Sequence, residues 1–277
     1  MSSSHGPSDK AMAILTDVTR CVGCEKCVMA CERTWNTGDT IPSIYSAPDG
    51  LSGNRWTSIV QIKNNGNERF VRKQCLHCVE PSCVGACPVH AFYKTEEGPV
   101  IYKAGKCIGC RYCMLACPYS IPRYDWDEPK PFVQKCKMCY ERLLEGQRPA
   151  CTQACPYGAT IFGTRTEMIA EAHKRLTNKN NGNEPVEYID KIWGQHDYAG
   201  TSVLYLSDVN LYELGFPTPG KVSAPNASIP GHYSHPVALQ TPFLAATVFG
   251  SLAGITWVIN RRMAMAEQKQ KEKDQDY

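Results

Sequence analysis

The sequence predicts an α+β chain of two nested, cysteine-rich units followed by one apolar C-terminal helix. Three observations lead to this fold class. All 16 cysteines fall into four groups of four, a short hairpin pattern separates the second group from the third, and an apolar stretch lies near the C-terminus. No cysteine is left over, so the four groups determine how the chain is organised.

Each group, called motifs 1 to 4 in chain order, has the spacing that a cubane iron-sulfur centre requires. Motifs 2 to 4 also end on Cys-Pro. Both features match the bacterial ferredoxin run C-x2-C-x2-C-x3-C-P. We therefore expect four [4Fe-4S] clusters and a role in electron transfer. The predicted iron ligands are Cys21, Cys24, Cys27 and Cys31; Cys75, Cys78, Cys83 and Cys87; Cys107, Cys110, Cys113 and Cys117; and Cys136, Cys139, Cys151 and Cys155.

Disulfides and zinc are the other uses of clustered cysteines. An even cysteine count is typical of disulfide frameworks, but these occur in small domains that cannot build a core, and this chain has 277 residues. A zinc site needs two C-x2-C pairs separated by a loop. In motifs 1 and 3 the third cysteine, Cys27 or Cys113, instead follows at the same short step. This spacing favours iron-sulfur clusters.

The motifs are expected to act in pairs, because the fourth cysteine of each ferredoxin run binds the cluster of the other run. Motifs 2 and 3 flank a predicted hairpin of 91–94 and 100–103 with a turn at Glu97-Gly98, which makes them one unit. By elimination, motif 1 pairs with motif 4. The expected ligand sets are set A (Cys21, Cys24, Cys27, Cys155), set B (Cys31, Cys136, Cys139, Cys151), set C (Cys75, Cys78, Cys83, Cys117) and set D (Cys87, Cys107, Cys110, Cys113).

The charge of the chain depends on what the cysteines bind. The formal net charge is +3 with neutral thiols, and four bound clusters would bring it to about −5. The basic balance therefore does not indicate nucleic-acid binding. Cations beside a cluster favour its reduced form and raise its potential, although solvated surface charge explains each of them equally well. The cations in question are Lys26, Arg111, Lys135 and Lys137.

The cysteine-rich part is predicted to be a double ferredoxin-like domain over 11–165, after a flexible N-terminus at 1–10. Between motifs 1 and 2, the segments 55–63 and 69–73 flank Asn65-Gly66. Because Asn-Gly suits the positive φ angles of a tight turn, this insert is a plausible β-hairpin, or else an ordered loop that contacts a partner. Its two tryptophans, Trp35 and Trp56, are expected to anchor the core.

An extension of helix, strand and linker is predicted over 166–235. Thr164 and Glu167 form a capping box before a short amphipathic helix that ends near Asn178. A strand is expected at 201–207 and a proline-rich linker at 217–230. The histidines of these regions, His196, His232 and His235, are expected to be solvated or interfacial rather than haem or metal ligands.

The segment 236–260 is predicted to be a single transmembrane helix. About 24 residues at 1.5 Å each give roughly 36 Å, enough to span the hydrocarbon core. Basic residues follow it in the tail 261–277, whereas the nearest one before it is Lys221. The positive-inside rule then predicts a cytoplasmic tail and an extracytoplasmic (periplasmic) cluster domain. Small residues at four-residue steps suit packing against another helix, unless they are incidental: Ala246, Gly250 and Gly254.

An export signal is not recognised in 1–10, which lacks an apolar region and a twin arginine. An extracytoplasmic domain would then have to cross the membrane with a partner that carries the signal. We expect co-export of the folded chain by the twin-arginine route.

Five stretches resemble the four-cluster iron-sulfur subunits of membrane-bound respiratory oxidoreductases. They are CVGC at 21–24, CLHC at 75–78, CIGCRYC at 107–113, GQRPAC at 146–151 and FGTR at 162–165. With the single C-terminal helix, they are similar to the β subunit of formate dehydrogenase-N and to the hydrogenase-2 electron-transfer subunit. Nitrate reductase relatives replace one cysteine by tryptophan; this chain keeps all 16, so four cubanes are expected.

The resemblance implies a relay without a substrate site of its own. A molybdenum or tungsten pterin subunit of formate dehydrogenase type would supply single electrons, and a nickel-iron hydrogenase or another molybdopterin enzyme is the alternative donor. A membrane cytochrome b or a quinone-binding multi-helix subunit would receive them.

Two functions of other classes compete with the relay. An enzyme that uses one cluster as a Lewis acid or radical initiator normally leaves one iron open, yet no motif here lacks a ligand. The sequence also shows no glycine-rich nucleotide loop and no convincing nucleophile and base. A zinc-stabilised membrane adaptor would be colourless.

Overall fold

The strand that precedes motif 1 is apolar on both sides, and the fold is built around it. In the computed structural model, which describes residues 10–37, 49–64, 67–124, 132–178, 188–217 and 246–265, this strand is the centre of a three-stranded sheet. Ala13 to Asp17 within it are almost completely buried. A strand covered on both faces needs an apolar run rather than a polar alternation, as the sequence MAILTD supplies.

Most of the secondary-structure elements are short, and the longest are three helices. In chain order they are β1 (Met12–Asp17), α1 (Lys26–Trp35), β2 (Thr57–Asn64), β3 (Asn67–Gln74), α2 (Ser82–Gly85), β4 (Phe92–Lys94), β5 (Val100–Tyr102), α3 (Tyr112–Ala116), β6 (Arg123–Tyr124), β7 (Val133–Gln134), α4 (Tyr140–Leu144), α5 (Ala150–Gln153), β8 (Thr160–Thr164), α6 (Arg165–Asn178) and β9 (Val203–Leu206), followed by α7 (246–265).

The central sheet has the order β8-β1-β9. β1 runs antiparallel to β8, with Met12 opposite Thr164, and parallel to β9. Side chains alternate across it: Ala13 and Leu15 face a core shared with α6, whereas Ile14 faces a core shared with the motif loops. The sheet therefore joins the C-terminal extension to the cysteine-rich part.

The topology nests one pair of motifs inside the other. β1 precedes motif 1 and β8 follows motif 4, so their pairing brings the ends of the outer pair together. α1 of motif 1 packs against α5 of motif 4, and α2 of motif 2 packs against α3 of motif 3. The hairpin β4–β5 connects the two inner motifs. The chain thus has a dicluster ferredoxin-like arrangement of mixed helices and strands.

Several predicted elements are confirmed. β2 and β3 form the expected hairpin in place of the alternative loop, although its turn residues Asn65 and Gly66 lie outside the described residues. The hairpin β4–β5 and the strand β9 are present. At α6 the Thr164 N–H donates to Glu167 Oε2 over 2.8 Å and the Glu167 N–H donates to Thr164 Oγ1 over 3.2 Å. This is the predicted capping box.

The extension is tied to motif 2 as well as to the sheet. The Val79 N–H donates to the Gly200 carbonyl over 2.9 Å, and the Ser202 N–H donates to the Leu76 carbonyl over 3.1 Å. Asp17, completely buried at the end of β1, accepts from Arg175 of α6 over 3.0 Å and from the Tyr188 hydroxyl over 2.8 Å. Because a buried carboxylate is costly unless paired, these contacts fix α6 against the sheet.

The chain divides into two units, Met1–Ser234 and His235–Tyr277. In the second, residues 246–265 form α7, and their side chains are exposed. No helix in the described stretches is both long and apolar enough to cross a membrane. The predicted segment 236–260 lies outside the described residues over its first ten positions, as do the linker from residue 218 and most of the tail 261–277.

Candidate metal centres

The loops between the first two cysteines of the four motifs share one backbone feature. The residue just before the second cysteine has a positive φ, which is uncommon for residues other than glycine. These angles are 72° at Gly23, 47° at His77, 72° at Gly109 and 54° at Met138. Four loops of different sequence thus share a positive φ at the same position.

In three of these loops, a backbone N–H group points toward a cysteine sulfur. The Gly109 N–H lies 3.4 Å from Cys107 Sγ, and the Met138 N–H lies 3.3 Å from Cys136 Sγ. The Gly23 N–H likewise lowers the pKa of Cys21, against the larger effect of burial. Because such bonds favour the thiolate over the thiol, the loops are suited to hold anionic sulfur.

The third and fourth cysteines of each motif lie on or beside a short helix. In motif 1 both belong to α1, at Cys27 and Cys31. In motif 3 Cys113 belongs to α3 and Cys117 follows at its end. Residues four apart lie one above the other on a helix, so these two sulfurs are adjacent but displaced along the helix axis.

The four cysteines expected in set A surround one cavity. It is lined by Cys21, Cys24, Cys27 and Cys155 together with Arg72. Burial raises the pKa of Cys21, and Cys155 and Cys24 raise it further. Cysteines from the two ends of the cluster domain therefore meet around one space that a cluster would fill.

The members expected in set B also lie together, and all four are buried. Burial raises the pKa of Cys31, and Cys136, Cys151 and Cys139 raise it further. Burial likewise raises the pKa of Cys136 to about 12, with Cys151 as the next cause. Motif 1 thus contributes its last cysteine to the neighbourhood of motif 4.

Set C likewise combines cysteines of two motifs, here motifs 2 and 3. Burial raises the pKa of Cys83; Lys135 opposes this, and Cys117, Cys75 and Cys78 raise it further. Burial also raises the pKa of Cys117 to about 11. A cysteine of motif 3 therefore lies among three cysteines of motif 2.

Set D completes the exchange. Burial raises the pKa of Cys113 to about 12, and the neighbours that contribute are Cys110, Cys107 and Cys87. Cys87 and Cys113 belong to one core cluster with Phe92 of the β4–β5 hairpin. A cysteine of motif 2 therefore lies among three cysteines of motif 3.

Two electrostatic effects between cysteines connect neighbouring sets. Cys151 of set B raises the pKa of Cys27 of set A, after burial and the opposing effect of Arg72. Cys75 of set C contributes to the raised pKa of Cys136 of set B, after burial and Cys151. Cys31, Cys75 and Cys136 also share one core cluster. Sets C and D are neighbours as well, because α2 of motif 2 packs against α3 of motif 3. The sets therefore follow one another in the order A, B, C, D.

Exposure differs along this order. Set A contains the exposed Cys24 and set D contains the exposed Cys110, whereas sets B and C contain no exposed cysteine. Large apolar side chains are also exposed beside the two end sets: Val22 and Tyr157 near set A, and Ile108, Tyr112 and Leu115 near set D. Both ends of the row of sets thus reach the surface.

The cations named from the sequence take different positions. Lys135 is buried, and its ammonium group donates to the Cys136 carbonyl over 3.0 Å. Lys137 pairs with Glu141 over 3.0 Å, and Lys26 and Arg111 are exposed. Only Lys135 of the four is therefore enclosed beside the cysteines.

The sequence analysis missed three polar residues that lie near the cysteines. Arg72 is 2% exposed and lines the cavity of set A. The Lys94 ammonium donates to the Cys78 carbonyl over 2.7 Å. His77, inside motif 2, accepts through Nδ1 from the Val100 N–H over 2.9 Å. The signal that could have revealed Arg72 and His77 is their position beside or within a cysteine motif.

All 16 cysteines are free thiols. Within the described residues, no three or more His, Cys, Asp or Glu side chains converge on a point where a metal ion could bind. In a cubane, each thiolate binds a different iron atom, so its four ligands surround a volume instead of one point. The cavity of set A has this form.

Residues 67–165 match the 4Fe-4S dicluster domain family. The chain is 36% identical over 247 residues to the hydrogenase-2 operon protein HybA of Escherichia coli O157:H7, covering 76% of this chain and 74% of HybA. It is 35% identical over 225 residues to the formate dehydrogenase-O iron-sulfur subunit of Escherichia coli, covering 76% of this chain and 73% of that subunit.

A protein of Nitratidesulfovibrio vulgaris is 37% identical over 214 residues, covering 73% of this chain but only 55% of the relative. The chain thus spans about half the length of that protein.

The fold, the cysteine motifs and the domain match together define a [4Fe-4S] dicluster protein. The chain belongs to the family of iron-sulfur subunits that includes HybA and the formate dehydrogenase iron-sulfur subunits. The resemblance drawn from the motifs is confirmed.

The loops of motifs 1 and 3 give a testable contrast. A Cβ atom on Gly23 would lie 2.5 Å from the Phe70 ring, whereas one on Gly109 would meet nothing within 4 Å. Both glycines have a φ of 72°, which costs any other residue about 1–2 kcal/mol. We expect Gly23→Ala to reduce the iron content of the purified chain, and Gly109→Ala to retain it.

The double variant Gly23→Ala with Phe70→Ala serves as the control, because it removes the ring that the new methyl group meets. It should recover iron. Equal iron loss in Gly23→Ala and Gly109→Ala would show that the φ angle, and not the contact with Phe70, determines the iron content.

Proposed function

We propose that the chain is the electron-transfer subunit of a respiratory oxidoreductase and relays single electrons through four [4Fe-4S] clusters. The observation that carries this proposal is the grouping of the 16 cysteines into four neighbourhoods of four. Thiolates at ferredoxin spacing supply the ligands such clusters need. When bound, each cluster accepts and releases one electron.

The proposed ligand sets are A to D as the sequence predicts them. Support comes from the mutual effects of the thiols, in which Cys155 acts on Cys21 and Cys117 acts on Cys83. The packing of α1 against α5 and of α2 against α3 points to the same pairs of motifs. The domain is thus proposed to be a tandem of nested dicluster units, with motif 1 paired to motif 4 and motif 2 paired to motif 3.

The route of the electrons follows from the contacts between the sets. Cys27 and Cys151 link A to B, and Cys75 and Cys136 link B to C. C and D are linked through the short helices that carry cysteines of both. Electrons would therefore pass along the row A, B, C, D, entering at one exposed end and leaving at the other.

The partners of the relay are proposed from what its relatives are. One relative is a formate dehydrogenase subunit and another is encoded with hydrogenase-2. The donor is therefore proposed to be a catalytic molybdopterin subunit of formate dehydrogenase type, with a nickel-iron hydrogenase subunit as the alternative. The acceptor is proposed to be a membrane cytochrome b or quinone-binding subunit. The exposed apolar residues beside Cys24 and Cys110 suit docking of two such partners.

Iron and sulfide analysis of the anaerobically purified chain tests the relay directly. We expect about 16 iron atoms per chain and a brown protein that dithionite bleaches, because four cubanes hold four irons each. The chain alone should oxidise neither formate nor hydrogen. About four iron atoms would leave one cluster and contradict a relay, and a colourless protein would indicate zinc.

The exchange of cysteines between motifs has its own test. Cys87 lies in motif 2, but we expect Cys87→Ser to change the same EPR signal as Cys113→Ser of motif 3, because both belong to set D. Cys83→Ser of motif 2, the matched control, should instead change the signal that Cys117→Ser changes. If Cys83 and Cys87 variants perturb one common signal, each motif holds its own cluster and the pairing is wrong.

Membrane attachment through 236–260 remains part of the proposal. It rests on the apolar sequence of this segment and on the basic residues that follow it, with Arg261 and Arg262 at its end. The cluster domain would then lie on the extracytoplasmic side and the tail in the cytoplasm. Export together with a signal-bearing partner would bring it there.

Alkaline carbonate extraction of membranes tests this attachment. The full chain, expressed with its partners, should stay in the membrane pellet, and a chain truncated after residue 235 should be released unless a partner holds it. Protease added to spheroplasts should digest the cluster domain. Release of the full chain by carbonate would contradict an anchor of its own.

A further inference from the structure

Arg72 is a buried cation that the relay as described does not use. It lies on β3, three residues before Cys75, and is 2% exposed. Its Nε–H donates to Thr57 Oγ1 over 3.1 Å, and one terminal nitrogen donates to Thr160 Oγ1 over 3.0 Å. The other terminal nitrogen donates to Gln74 Oε1. Partners on β2, β3 and β8 thus hold the guanidinium in one orientation.

All three hydrogen-bond partners of this guanidinium are neutral. The ion pairs found in the described stretches join no Asp or Glu to Arg72. A buried charge normally has an opposite charge beside it, and arginine remains protonated inside proteins. The hydrogen bonds orient the guanidinium but leave its charge without a counter-ion among the carboxylates of the described residues.

The cavity of set A is the place where an anionic group would lie beside Arg72. Arg72 lines that cavity together with its four cysteines. Burial would lower the pKa of Arg72, but the anionic forms of Cys151, Cys27 and Cys136 raise it above the ordinary value. Two of these sulfurs belong to set B, so the guanidinium lies between sets A and B. Lys135 has the corresponding place beside set C, where it opposes the raised pKa of Cys83.

We propose that Arg72 is the cation that sets the reduction potentials of the clusters bound by sets A and B. The inference rests on the proposed relay, because it needs clusters at these sets. A cubane with four thiolates carries a net charge of about −2 when oxidised and about −3 when reduced. A fixed positive charge favours the more negative state, and in a water-poor site its effect is stronger than at the surface. Arg72 therefore raises the potentials of A and B.

The experiment is an EPR-monitored redox titration of the full, cluster-loaded chain and of three variants. Arg72→Gln removes the charge but keeps hydrogen-bonding groups, and Arg72→Lys keeps the charge on a compact head. Arg69→Gln is the matched control. It removes the same charge from the same strand, but Arg69 pairs with Asp208 and is partly exposed.

The expected result is a lower midpoint potential for the clusters of sets A and B in Arg72→Gln, and unchanged potentials for C and D. Arg72→Lys should show a smaller shift, and Arg69→Gln none. Full iron content with unchanged potentials in Arg72→Gln overturns the proposal, as does an equal shift in Arg69→Gln. The wild-type iron content tests the relay separately, so the two failures are distinguishable.

Loss of iron from Arg72→Gln is also an informative outcome. If Arg72→Lys then keeps its iron, the charge itself is required, which supports a cation that balances the clusters. If both variants lose iron equally, the planar hydrogen-bonding group of Arg72, and not its charge, is required to retain iron. In that case Arg72 only holds β2, β3 and β8 together, and the proposal is overturned.

Discussion

The arrangement depends on one spacing: the third and fourth cysteines of every motif are four residues apart, on or beside one short helix. Two sulfurs one helical turn apart are displaced along the helix axis, so they need not face the same ligand set. Cys27 lies with set A and Cys31 with set B, and Cys113 and Cys117 divide in the same way. Each short helix thus links two neighbouring sets, which makes the motifs pair and places the sets in a row.

Electrostatics is the second constraint on this part of the chain. Burial raises the pKa of the Cys27 thiol to about 11 and of the Cys136 thiol to about 12, so the cluster-free chain holds these groups as neutral thiols at neutral pH. Cluster assembly must then release protons, because only thiolates bind iron. Backbone N–H groups at the positive-φ positions and the buried cations Arg72 and Lys135 would offset part of the resulting negative charge.

The cysteine groups and several secondary-structure elements could be predicted from the sequence, because cysteine spacing and turn chemistry are local signals. The hairpin at Phe92 to Tyr102, the capping box at Thr164 and Glu167, and the strand around Tyr205 needed only short-range patterns. Short-range patterns could not predict the role of Arg72. That role depends on three strands that are distant in sequence and meet only in the fold. The parallel pairing of β1 with β9 was missed for the same reason. His77 looks like a spacer in CLHC, and only the structure shows its bond to Val100.

The central claim is that four cubanes lie in one row and interact with their neighbours. Spin quantitation by EPR on the fully reduced chain, with iron measured on the same sample, tests it most directly. We predict about four unpaired spins per chain, one for each reduced cluster, with signals broadened or split by coupling between adjacent clusters. About two spins in a fully reduced sample, or four signals without coupling, would contradict the account.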